Sequence, residues 1–123
     1  MINKVMVTRA VISKIEEDKK PKEIKAQHIV GYDNPDKIAI KGKAEGYTPD
    51  IAAVSDHETS IYEIELERNI SIDKWRTFSL YARKKNGNLF LVVPDYMKET
   101  VKKEITDSKI KAGVIFFDTH NGA

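Results

Sequence analysis

With 123 residues the chain can bury one core and has no room for a separate regulatory or substrate module, so a single domain spanning residues 1–123 with one active site is expected. A hydrophobic share of 41% beside 33% charged residues excludes a disordered chain, and the absence of cysteine excludes disulfides, thiolate nucleophiles and cysteine-zinc sites, leaving carboxylates or histidines to hold any metal. A net charge of +2 is too small to establish nucleic-acid binding by itself, so the placement of the basic residues carries more information than their sum.

Apolar residues at Ile2, Val5, Met6, Ile12 and Ile15 fall at helical spacing and predict an opening helix that ends in the polar stretch Glu16–Lys20, before Pro21. A short extended segment is expected over residues 24–30. Turn residues fill Gly31–Asp36, after which Lys37–Lys41 alternates like a strand. Asp50–Val54 and Ser60–Leu66 read as two strands of a hairpin around Ser55–Thr59. Ser71 suits a helix N-cap, Trp75, Phe78, Leu80, Tyr81 and Ala82 supply an apolar face, and Asn86-Gly87 marks the stop.

The unbroken apolar run Leu89–Val93, ended by Pro94, has the pattern of a strand buried on both faces. Asp95 is a candidate cap for a helix carrying Met97, Val101 and Ile105, and Gly113–Phe117 reads as a last strand. Strand, helix, strand, helix, strand implies parallel pairing through right-handed crossovers. The predicted class is therefore α/β, a mixed central β-sheet flanked by helices, with His120–Ala123 as a frayed tail.

The segment Ile61-Tyr62-Glu63-Ile64-Glu65-Leu66-Glu67 alternates strictly, so Glu63, Glu65 and Glu67 share one face of a strand, with successive carboxylates about 6.6 Å apart. Taken alone, such a face is also what a half-exposed strand turns to water. The helix that follows must pack on the sheet, however, which puts this strand near the middle, where aligned carboxylates call for a cation. Hard divalent ions take oxygen ligands, so two or three carboxylates and a phosphate suit magnesium. A further acid arrives at Thr48-Pro49-Asp50, at the mouth of the strand expected to pair with the glutamate strand.

Gly46-Tyr47-Thr48-Pro49-Asp50, then a turn, then Glu63-Ile64-Glu65, resembles the PD-(D/E)XK superfamily of restriction endonucleases and Holliday-junction resolvases. The element order extends the resemblance over residues 45–117, while about five positions carry the motif. The resemblance implies a restriction endonuclease-like sheet in which Asp50 and Glu63 ligate magnesium or manganese, and Glu65 helps to hold the ion or accepts a proton from the attacking water. It implies hydrolysis of DNA phosphodiester bonds. The family's lysine position is Glu65 here, which removes the charge that orients water. Lys74, one turn into the next helix, is the candidate replacement, and Glu16 or Glu17 is a candidate further acid. Because Glu63 and Glu65 point the same way, their repulsion is expected to raise at least one pKa.

Candidate nucleic-acid contacts are Lys43, Arg83, Lys84 and Lys85. Other basic groupings, Lys19–Lys25 and Lys98–Lys103, have the look of solvated faces. Three scattered histidines do not form a zinc set, and no glycine-rich phosphate loop or nucleophile elbow is present. Trp75 and Phe78 are expected in the core. No apolar run approaches the roughly 18–20 residues that cross a bilayer, and the opening residues lack a signal peptide's apolar stretch, so a cytoplasmic location without membrane partners is expected. A homodimer is expected, because two small copies are needed to cut both strands. The rival readings are a catalytically inactive descendant that binds nucleic acid or a protein partner, and a structural protein whose carboxylates are merely surface.

Overall fold

The computed structural model describes residues 3–39 and 45–119. Helix α1 spans Lys4–Asp18 and is started by Asn3, whose side chain accepts from the Met6 N–H at 2.9 Å. It ends at Asp18, inside the polar stretch Glu16–Lys20 in which the end is expected, and Lys19 closes it. Strand β1 is short, Glu23–Ala26, because His28 takes a left-handed φ of 58° and turns the chain before the expected end at Val30. The strand expected at Lys37–Lys41 is reduced, among the described residues, to one bridge between Ile38 and Tyr47.

Strands β2 (Ile51–Val54) and β3 (Thr59–Ile64) form the expected antiparallel hairpin, with Ile51 opposite Tyr62. Helix α2 (Ile72–Lys84) is capped by Ser71, whose hydroxyl accepts from the Lys74 N–H. Its far end closes by two crossed hydrogen bonds, Gly87 N–H to Ala82 O and Asn86 N–H to Arg83 O, with Asn86 at φ 63°. A side chain at Gly87 would run into the Thr59 carbonyl, so glycine lets the α2 exit lie against the start of β3.

Strand β4 (Leu89–Pro94) lies parallel to β3, and β5 (Gly113–Phe117) lies parallel to β4. Between them a 3-10 turn, Asp95–Met97, leads into α3 (Lys98–Asp107). The N-cap position of α3 falls on Met97. The Asp95 carboxylate accepts from the Thr119 hydroxyl at 2.8 Å, tying the end of β4 to the chain beyond β5.

The sheet order is β1-β2-β3-β4-β5, mixed in direction, so β3 stands in the middle. Strand alternation sorts the core into two halves. Ala52, Ile61, Leu89, Leu91 and Val93 point toward α2 and α3, where they meet Trp75, Phe78 and Val101. Ile51, Ala53, Tyr62, Ile64 and Val92 point the other way and meet Ile12 and Ile15 of α1. Trp75 and Phe78 are fully buried, as expected. The molecule is an α/β protein with helices on both faces of a five-stranded mixed sheet, and no described helix is long and apolar enough to cross a membrane.

Candidate active site

Asp50 and Glu63 each lie one residue beyond Ile51 and Tyr62, the last registered pair of the hairpin. Both side chains then share the parity of Ala52 and Ile61, the face covered by α2. The Asp50 N–H donates to Glu63 Oε1 at 3.0 Å, and the Ile64 N–H donates to Asp50 Oδ2 at 2.8 Å. Two carboxyl groups are thereby locked side by side at the end of the central hairpin, buried to within a few per cent.

Glu65 continues on the same face just past β3, where its N–H donates to the Val92 carbonyl. Its Oε2 accepts from the Trp75 indole N–H at 2.7 Å. Lys74, the neighbour of Trp75, bridges the two glutamates, with Nζ 2.9 Å from Glu63 Oε2 and 3.3 Å from Glu65 Oε2. A helix lysine, absent from the acid-x-acid triplet itself, thus delivers positive charge to both its acids. Lys4 at the start of α1 reaches round the strand ends from the opposite face and sets its Nζ 2.9 Å from Asp50 Oδ1. Among the described residues no buried side-chain nitrogen or oxygen lacks a partner.

Burial is the main force on Glu63, and the neighbouring Asp50 adds to it, raising its pKa from 4.5 to about 8 although Lys74 pulls the other way. Repulsion does raise a glutamate, then, but burial and Asp50 do so rather than Glu65. Burial acts to lower Lys74, yet Glu63 and Glu65 outweigh it and hold the ammonium above its ordinary pKa. The result is a carboxyl group poised near neutrality beside a firmly charged lysine, a combination suited to proton transfer.

A cleft of about 580 Å³ lies beside this cluster, lined by Asn3, Lys4, Ile64, Glu65, Glu67 and Asn69, so that Lys4 and Glu65 border it while Asp50, Glu63 and Lys74 are not among its lining. The carboxylate oxygens of Asp50 and Glu63, each already beside an ammonium group, fit a hard divalent cation in kind. Asp50, Glu63 and Glu65 do not converge as a three-carboxylate cage, and among the described residues no set of three acids or histidines does so. Lys74 lies between Glu63 and Glu65 instead.

Other sequence candidates lie elsewhere. Glu67 is exposed beyond the end of β3, so the shared face ends at Glu65. Glu16 and Glu17 sit at the far end of α1, about 18–20 Å along the helix from Lys4 at 1.5 Å per residue, and do not serve as the further acid. Arg83, Lys84 and Lys85 are exposed at the far end of α2, about 14–17 Å along the helix from Lys74, so they do not border the carboxylates. Lys43 lies outside the described residues.

Lys4 and Trp75 were not legible as site residues. Lys4 is one of many lysines, and its role depends on how α1 crosses the sheet. Trp75 was legible as core, whereas its hydrogen bond to Glu65 follows from the helix rotation that also aims Lys74. No family model, curated protein or solved structure matches this chain.

Proposed function

We propose that the chain is a divalent-metal-dependent endonuclease with a restriction endonuclease-like fold, hydrolysing phosphodiester bonds of DNA. The observation that carries this reading is the buried Asp50–Glu63 carboxyl pair, cross-strand neighbours at the end of the central hairpin, with Lys74 bridging Glu63 to Glu65.

Asp50 and Glu63 would hold a magnesium or manganese ion, and Glu65 would border it. When bound, such an ion offsets charge on the scissile phosphate and acidifies water. Lys74 lies where the strand lysine's charge is missing, and it orients the attacking water or steadies the negative charge that develops on phosphorus. Glu65, held by Trp75, accepts the water's proton. The water oxygen bonds to phosphorus, the bond to the leaving sugar oxygen breaks, that oxygen takes a proton from solvent water, and the products are a phosphomonoester end and a hydroxyl end. Two copies of the chain would cut both strands of a duplex.

A second reading is favoured by one specific arrangement: Lys4 and Lys74 already neutralise the carboxylates, and the triplet's lysine position is Glu65. In that reading the fold is kept and the protein binds nucleic acid or a protein partner without cutting. Manganese binding followed by its paramagnetic signal, with cleavage measured on the same preparation, separates the two. The first reading expects one bound ion, lost in Asp50→Asn, together with nicking. Failure of the parent protein to bind manganese or to cut removes it.

A further inference from the structure

We propose that the rim beyond the carboxyl ends of β4 and β5 binds an unpaired nucleic-acid strand, stacking bases on Tyr96 and Phe116 and taking phosphates on Arg68 and Lys98. Both rings are large and exposed, Tyr96 at 56% and Phe116 at 49%. Each carries a cation: the Arg68 guanidinium carbon is 5.8 Å from the Tyr96 centroid, and Lys98 Nζ is 4.0 Å from that of Phe116.

The topology accounts for the grouping. Arg68 follows Glu65 by three residues on the chain leaving β3, and Tyr96 lies two residues past the end of β4. Phe116 is registered with Val93 near the end of β5, and Lys98 opens α3. Val114 packs on the core, while Phe116, one step along the same face, is left exposed beneath Lys98. All four residues therefore belong to the end of the sheet where β3 presents Glu65, the carboxyl end at which open α/β sheets bind ligands.

The chemistry selects the occupant. A ring with a cation on one side keeps its other face and its edge for a partner, and base planes are available for such stacking only where bases are unpaired. Arginine and lysine beside the rings supply phosphate neutralisation next to each stacking site. A strand held here would pass the carboxylate cleft with its unpaired segment on the rim. The inference rests on reading the carboxylate site as one that cuts nucleic acid, and it names the form that substrate takes.

The test measures fluorescence anisotropy of a labelled single-stranded oligonucleotide and of the corresponding duplex, both in EDTA so that cutting plays no part. The parent protein is expected to bind the single strand at least about tenfold more tightly, with a log–log salt slope near −1.4 for about two phosphates. Tyr96→Ala with Phe116→Ala is expected to weaken single-strand binding by about 30-fold or more, whereas Tyr96→Trp with Phe116→Trp retains it. Equal affinity for single strand and duplex, no binding at all, or an alanine pair that binds like the parent with an unchanged circular dichroism spectrum would each overturn the proposal. Ring-dependent binding by a protein that never cuts leaves this surface standing and removes the endonuclease reading. Cutting with ring-independent binding does the reverse.

Discussion

Asp50, one residue before β2, and Glu63, on the antiparallel β3, are neighbours at the end of the hairpin, and the Asp50 N–H donates to Glu63 Oε1 at 3.0 Å. Two acids brought this close inside a protein cannot both ionise cheaply, and the consequence is thermodynamic as well as chemical. Glu63 is raised from 4.5 to about 8 by burial first and Asp50 second. The folded state therefore holds a proton that the unfolded chain releases. In metal-free buffer this contribution to stability is complete below about pH 4.5 and is lost as pH rises toward about 8, with a slope of at most the one-proton limit, about 1.4 kcal/mol per pH unit. Urea unfolding across that range should show the decline in the parent protein and a flatter profile in Glu63→Gln, which keeps the shape without the titration.

Lys74→Met should steepen the decline of stability with rising pH, because Lys74 is what holds the Glu63 pKa down. Removing the ammonium leaves Glu63 and Glu65 without their shared cation. Breaking a buried pair is costly, although Glu63 can relieve part of the loss by keeping its proton. A destabilisation of about 1–3 kcal/mol is expected near pH 8, shrinking toward pH 5. A loss independent of pH would show that Lys74 acts through packing alone.

Trp75→Phe removes the indole N–H from Glu65 Oε2 while keeping an aromatic ring in the core. A hydrogen bond to a charged acceptor contributes about 1.5–3 kcal/mol, so chemical unfolding should report a loss of that order. Cleavage should fall as well, because Glu65 loses the contact that aims it. Unaltered stability and activity would mean that Lys74 alone positions Glu65.

The periods of two and 3.6 made most of the sheet legible. Strict alternation over residues 61–67 and the apolar run 89–93 marked β3 and β4, and Ser71 with Asn86-Gly87 bracketed α2 because caps are local chemistry. The pairing of Asp50 with Glu63 could be anticipated from the hairpin and its register. Features set by tertiary geometry were not legible. The strand expected at residues 37–41 is one bridge among the described residues, and the N-cap of α3 falls on Met97 while Asp95 bonds to Thr119. The rotation of α2 that aims Lys74 and Trp75 together, and the reach of Lys4 around the strand ends, depend on packing that no local pattern encodes. Arg83–Lys85 were grouped with the site by charge, and helix length separates them from it.

Magnesium or manganese should stabilise the folded protein by mass action, since a cation bound by the paired carboxylates of the native state finds no such pair in the unfolded chain. At about a hundredfold excess over the Kd the gain is about 2.7 kcal/mol, a thermal shift of several degrees. The gain should be larger near pH 8 than near pH 5, where the ion must displace the Glu63 proton. Asp50→Asn should abolish it. Identical melting with and without millimolar metal would count against the site.

The most direct measurement is nicking of linear, nicked and branched DNA with magnesium or manganese by four proteins: the parent, Asp50→Ala, Glu63→Ala and Glu65→Lys. An endonuclease built on the Asp50–Glu63 pair requires metal-dependent cutting by the parent, at least about 100-fold lower in each alanine variant. Cutting by Glu65→Lys alone would assign the natural protein to a silent descendant with an intact acid scaffold. No cutting by any of the four, with no metal bound by the parent, would contradict the endonuclease account outright.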